Sequence, residues 1–404
     1  MTKPFYLALL VLILAAAIGL RVYPSSSFKG VGFDENLYRI YVEQLNGAGL
    51  LAYPDIVENY LRVQGGMESA ILPPTRFLYI FLSSLWSRSF GVAPLSALHA
   101  VSCIFSILTV VLGAAFALRL GGRKASLGVA ALLACAPVQI HMAQHALIDG
   151  FFAFWGLLAL WALWECLQAP TQSWWSGIYA GALALMVLTK ENAAFIYFAL
   201  LGVLALCWKC RYGQVTPRLL LLTVAGPLLG TVLLLFLAGG VENLVGVYRL
   251  LVAKAYTLEY AIKTGDGPWH RYLVDLLLAN PLILLLAIGA ACRLRWREPA
   301  DRPSLYLVAF IVCSYALMCN VKYGMNLRYA TAWDFPLCFL AFTQLSHWTA
   351  LWPWSRPRAK GWLLLAIVVV VGLCELRQYR VLFVEHPLYE LVSEGLLRAL
   401  RILK

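Results

Sequence analysis

Six ionisable residues stand where an apolar chain would ordinarily avoid them. Asp34 and Glu35 lie side by side in GVGFDENLYRIY, Asp149 opens the apolar run IDGFFAF, Lys190 and Glu191 interrupt another in LTKEN, and Arg328 sits in NLRYA. Charge at the centre of a bilayer costs about 2.5–3.5 kcal/mol on insertion scales, so such groups are candidates for function. Each also has a structural alternative. Asp34 before a helical run could cap it by accepting backbone N–H groups, and Glu35 with Arg39 would form an i,i+4 pair worth a few tenths of a kcal/mol. His141, His145 and Asp149 recur at i, i+4 and i+8, on one face of a helix. That spacing allows metal ligation, with Glu68 as a further ligand, and equally suits a hydrogen-bonded, partly wet helix end.

What could bring these residues together is set by the class of chain. Of 404 residues, 62% are hydrophobic and only 13% charged, and the mean hydropathy is +0.76. Roughly 20 consecutive apolar residues span a bilayer core, and such stretches recur near 5–21, 96–118, 126–140, 151–168, 174–189, 193–208, 219–238, 272–292, 304–319, 329–346 and 362–376. The expected fold is an all-α polytopic membrane protein of about 11 transmembrane helices. The alternation of an outer-membrane barrel is absent. Residues 5–20 resemble a signal peptide, but with so many apolar segments following they read as an uncleaved first span.

A formal charge of +12 raises the question of a nucleic-acid partner. The basic residues instead cluster in short loops, LRLGGRKAS, KCRYGQVTPR, CRLRWREPADR and SRPRAK, which reads as topology under the positive-inside rule. Placing Lys3 and those loops in the cytoplasm requires residues 73–92 not to cross the membrane. That stretch carries a polar stripe of Arg76, Ser83 and Ser87 and fits an interfacial amphipathic helix or a short buried one. The outer face then receives a first loop over 22–95, a second over 239–271 and an amphipathic tail over 377–404, beside a transmembrane domain over 1–376. The ten cysteines lie in or beside apolar segments and imply no disulfide framework; Cys207 and Cys210 form a lone CxxC.

Several motifs in this order resemble the GT-C class of integral-membrane glycosyltransferases. They are the Phe-Asp-Glu at 33–35, ILPPTRF, SFGV, the LRLGGRKAS turn, QHALIDGFFAF, LTKENAAF and LRYATAW. The chain is similar over roughly residues 1–345 to protein O-mannosyltransferases and to the bacterial aminoarabinose and RgtA/B/C/D-type transferases. The resemblance implies a polyprenyl-phosphate sugar donor, an extracytoplasmic site in a bacterial inner membrane, and transfer with inversion to a glycolipid, polysaccharide or protein hydroxyl. It makes Asp34 the general base, with Glu35 beside it, and Asp149 a second acid that orients the base, the sugar or a divalent metal. Lys190 and Arg328 become donor-phosphate ligands, backed by Arg76 and Lys322. One departure is that Leu72, not an ionisable residue, precedes the Pro-Pro, and the nearest acid is Glu68. The competing readings are a transporter or flippase of a lipid-linked saccharide, whose polar groups should lie near the midplane, and a non-catalytic subunit of the same fold.

Overall fold

The computed structural model describes residues 2–23, 30–67, 72–321, 325–353 and 357–403, and among them there is no strand. The helices are α1 (Lys3–Val22), α2 (Phe33–Ala48), α3 (Tyr53–Gly65), α4 (Phe77–Phe90), α5 (Pro94–Ala134), α6 (Pro137–Gln144), α7 (Ile148–Gln168), α8 (Ser173–Thr189) and α9 (Ala193–Cys210). They continue with α10 (Pro217–Leu237), α11 (Val241–Thr257), α12 (Glu259–Gly265), α13 (Arg271–Ala279), α14 (Pro281–Ala291), α15 (Arg302–Met318), α16 (Asp334–Leu351), α17 (Pro357–Tyr379) and α18 (Ser393–Ala399). Prolines open α5, α6, α10 and α14, where a missing N–H costs nothing and a fixed φ helps.

Among the described residues six helical stretches suffice by length and composition to cross a membrane: α1, α5, α7, α9, α10 and the run Ala359–Glu385 that α17 shares with the π-helical turn Arg380–Glu385. Two shorter apolar helices, α8 and α14, accompany them. The protein is an integral membrane protein. All eleven apolar segments named from the sequence are helical, some of them divided between two helices. The last outruns its expected end at 376, because helix continues to Glu385.

The hub is α5, against which α1, α4, α6, α7, α16 and α17 all pack. It comprises two helices joined at Gly122, whose φ of 75° only glycine adopts cheaply, within the LRLGGRKAS turn. The break between α5 and α6 is equally informative. Pro137 has no N–H for the carbonyl of Leu133, which accepts instead from Ala136 N at 3.3 Å. Arg21, buried at the end of α1, adds a second donor: Nη2 donates to Leu133 O at 3.0 Å and Nη1 to Ala134 O at 3.0 Å, while Nε donates to Ser106 Oγ at 2.8 Å.

Between α1 and α5 the described residues form α2, α3 and α4, of which α2 and α4 pack on α5 and α3 on α10 and α11. The polar stripe of Arg76, Ser83 and Ser87 is buried, with Asn46 donating to Ser87 Oγ at 3.0 Å, and Ser84 beside it donates to Asn46 Oδ1 at 2.7 Å, while Leu85 and Phe90 are exposed. This joins α4 to α2 through hydrogen bonds, and its apolar side covers α5 and remains partly open. The Leu-Pro-Pro turn before α4 is fixed by phenols, with Tyr41 Oη donating to Leu72 O at 2.7 Å and Tyr53 Oη to Pro74 O at 2.6 Å. All ten cysteines are free.

Candidate active site

Helix ends supply the site. Gly32 occupies the N-cap of α2, which places Asp34 and Glu35 in the first turn, where the partial positive charge of a helix N-terminus favours acids. Asp149 lies in the first turn of α7 for the same reason, and Lys190 follows the last turn of α8, where a cation is favoured. Arg328 belongs to the 3-10 segment Leu327–Trp333, whose start Asn326 caps by accepting the Arg328 N–H at 3.1 Å. The alternative in which Asp34 caps α2 is not what forms, since the cap position falls on Gly32.

These ends converge. Arg328 Nη1 lies 2.8 Å from Asp34 Oδ2, and its Nε lies 3.6 Å from Asp149 Oδ2. The other Asp149 oxygen pairs with Lys190, whose ammonium also sits 4.0 Å from the centroid of the Tyr329 ring. A second pair lies alongside: Arg76 binds Glu191 through two nitrogens and donates from Nη1 to Tyr38 Oη at 2.6 Å. Burial opposes the charge on Glu191, and Arg76 more than offsets it, holding that carboxyl below its ordinary pKa. Asp34, Asp149, Lys190, Arg76 and Arg328 are each 7% exposed or less, so their interactions act in a poorly screened setting.

Glu35 does something different from Asp34. Its Oε2 accepts the Gly32 N–H at 2.7 Å, and its Oε1 accepts the Ala146 N–H at 2.6 Å and faces His99 Nε2 at 3.0 Å and His145 Nδ1 at 3.4 Å. It therefore ties α2 to the α6–α7 junction and to α5, and does not pair with Arg39, which binds Glu43 and Asn36. Burial disfavours its charge, but the His145, His99, Ala146 and Gly32 contacts outweigh burial and lower its pKa. A depressed folded pKa stabilises the fold above the unfolded value of about 4.3, and the contribution fades as pH falls below that. Glu35→Gln should thus cost about 1–3 kcal/mol at pH 7. Thermal melts of the purified variant and parent should show a gap that is steady from pH 7 to pH 5 and narrows as pH falls below about 4.

Of the two readings of the His141, His145 and Asp149 spacing, the single helical face that metal ligation would use is not assembled. Helix α6 ends at Gln144, and His145 has an extended backbone, so the i, i+4, i+8 spacing does not run on one helix. His141 stacks on Phe383 at 4.3 Å and its Nε2 meets Tyr389 O at 3.2 Å, His145 turns to Glu35, and Asp149 to Lys190 and Arg328. Among the described residues no group of three or more His, Cys, Asp or Glu side chains is arranged to hold a metal ion. Glu68 and Lys322 lie outside the described residues.

The tail contributes residues that the sequence did not single out. Its chain beyond Glu385 is not one amphipathic helix; residues 386–392 are non-helical and cross the site before α18. Glu390 Oε1 lies 3.5 Å from Arg328 Nη1, Asn326 Nδ2 donates to Glu390 Oε2 at 2.8 Å, and Leu327 N donates to Leu391 O at 3.1 Å. Tyr389 lies over Gly32 so closely that a Cβ there would collide with Tyr389 Cζ. The readable signal was Pro387, which interrupts a helical reading of the tail.

The model of the dolichyl-phosphate-mannose–protein mannosyltransferase family matches residues 7–239, more than half of the chain. The chain belongs to that family. Like the family it is a glycosyltransferase, and the match covers the first loop, Asp149 and the LTKEN segment. Among solved structures this mannosyltransferase-family chain is similar to ArnT from Cupriavidus metallidurans bound to undecaprenyl phosphate, with a TM-score of 0.63, 14% identity, and coverage of 100% of this chain and 75% of that one. It is also similar to the archaeal oligosaccharyltransferase AglB from Archaeoglobus fulgidus in complex with an inhibitory peptide and a dolichol-phosphate, with a TM-score of 0.60, 13% identity, and coverage of 93% and 55%. At such identities the likeness concerns the fold, which is the GT-C arrangement. No curated protein sequence matches this chain.

Proposed function

We propose that this mannosyltransferase-family protein moves a hexosyl or pentosyl unit from a polyprenyl-phosphate donor to a hydroxyl of a glycolipid, polysaccharide or protein. The reaction is a single displacement with inversion, on the extracytoplasmic face of a bacterial inner membrane with the N-terminus cytoplasmic. Family membership supports the reaction class. Two neighbours of the same fold, ArnT and AglB, were solved with undecaprenyl phosphate and with a dolichol-phosphate, which supports the donor class.

The observation that carries the reading is the 2.8 Å contact between Asp34 and Arg328. A single displacement needs a base for the acceptor hydroxyl and a cation for the departing phosphate, close together and out of bulk water. Before donor binds, Arg328 neutralises Asp34. Donor phosphate on Arg328 and Lys190 would release the Asp34 carboxylate toward the acceptor. The acceptor oxygen then bonds to the anomeric carbon as its proton passes to Asp34, and the bond from that carbon to the phosphate oxygen breaks. The polyprenyl phosphate leaves with its added charge held by Arg328 and Lys190. Asp149 positions both cations, and Arg76, engaged by Glu191 and Tyr38, backs the site from the α4 side.

The test is transfer by the purified protein in liposomes from a panel of polyprenyl-phosphate hexoses and pentoses, with the product's anomeric configuration read by NMR. An inverted linkage from one donor supports the mechanism. Retention would overturn the single displacement, and no transfer across the panel would overturn the donor class.

A further inference from the structure

Arg328 faces three carboxylates in the structure, and of these only Asp34 belongs to the loop that holds the proposed base and only Asp149 to α7. The third, Glu390, arrives on residues 386–392 from the far end of the chain and lies 3.5 Å from Nη1, the nitrogen that also faces Asp34. A carboxylate and a phosphate make the same kind of contact with a guanidinium, charge-assisted and directional. We propose that Glu390 holds the place of the donor phosphate on Arg328 and that the donor displaces it, so this tail segment sets donor affinity. The inference rests on the reading of Arg328 as a donor-phosphate residue.

Two features favour displacement over a fixed structural pair. Asp34 and Arg328 are nearly closed off, whereas the Glu390 side chain is 26% exposed, so it can leave Arg328 for water at low cost. Asn326 keeps a hold on the other Glu390 oxygen, which lets the side chain shift without detaching. Further along the tail a cavity of about 320 Å³ lies between Val392, Ser393 and Glu394 on one side and Gly267, Arg271 and Val274 on the other. The segment is anchored at both ends of that reach, by Tyr389 against Gly32 and by Ser393 donating to Asp275 Oδ1 at 2.6 Å. Leu391 O also accepts the Leu327 N–H at 3.1 Å, so movement is confined to Glu390 itself.

The experiment measures binding of sugar-free polyprenyl phosphate to the purified protein, with the unphosphorylated polyprenol as blank, and donor KM and kcat in the transfer assay. Glu390→Gln keeps size and an acceptor for Asn326 but removes the competing charge. It should tighten polyprenyl-phosphate binding about fivefold, in keeping with the loss of a partly exposed pair, and lower donor KM by a similar factor without raising kcat. Glu390→Asp, which keeps the charge but withdraws it from Arg328, should fall between and serves if the Gln form does not fold. Glu394→Gln removes the same charge four residues on, where the carboxylate pairs with Arg398, and should change nothing. Unchanged or weaker binding by Glu390→Gln, or equal tightening by Glu394→Gln, would overturn the competition. Arg328→Gln should abolish binding; if it binds like the parent, the phosphate assignment itself is wrong.

Discussion

Asparagine at position 34 should lower sugar transfer by about 10²–10⁴-fold, the range expected for loss of a general base. The substitution keeps the side chain's size and its place in the first turn of α2, so the fold should persist. Arg328 would still face Asp149 and Glu390, and polyprenyl-phosphate binding should hold or improve. The expected pattern is a fall in kcat with little change in donor KM. It is measured as initial transfer rates against donor concentration, with a melting temperature to verify the fold. Equal rates in parent and variant would remove Asp34 from the chemistry and leave it as a partner that merely orders Arg328.

The second large effect belongs to Asp149 and concerns stability first. Its carboxylate and the Lys190 ammonium are both within a few per cent of complete burial, and the pair is the closest counter-charge that Lys190 has. Removing one member of a buried pair leaves the other without compensation, at a cost of about 3–5 kcal/mol. Asp149→Asn should therefore lower the melting temperature sharply, and Lys190→Met in the same background should recover much of the loss. Activity should not return with stability, because the double variant lacks both the acid that holds Arg328 and a proposed phosphate ligand. A double variant as active as the parent would make the pair purely structural. The cycle of single and double variants isolates the coupling.

Much of this arrangement was readable from residue type alone. Acids and bases at the ends of apolar runs marked Asp34, Asp149, Lys190 and Arg328, since helix ends in a bundle of antiparallel spans fall into two layers and topology assigns each to one. The all-helical class followed from composition for the same elementary reason: backbone groups in lipid must be satisfied within the segment. Partnerships were not readable. Glu35 could have paired with Arg39 along its own helix, and three long-range donors won because α2 docks on the α6–α7 junction. Arg76 was visible as a cation but not as the partner of Glu191, 115 residues away. The histidine spacing misled because a periodicity argument assumes an unbroken helix, and the chain leaves helix at Gln144 with no proline or glycine there to announce it. Glu390 was hidden by averaging: a tail judged by its overall amphipathic character conceals one acid held beside a guanidinium.

The Arg21 contacts bear on how the protein is made. Beyond Ala17 O on its own helix, its acceptors are Ser106, Leu133 and Ala134, all synthesised more than 80 residues after it. When α1 leaves the ribosome and enters the membrane, its terminal guanidinium has none of them. It must wait at the lipid headgroups, where a long side chain can keep its charge hydrated. Only when α5 and the start of α6 have been inserted do the carbonyls ahead of Pro137 become available, and the charge can then move inward. The first span is thus latched by the third, and an otherwise apolar helix is prevented from settling independently of the rest. Chains truncated before residue 134 should carry α1 as a loosely held anchor, whereas slightly longer ones should hold it as part of the bundle.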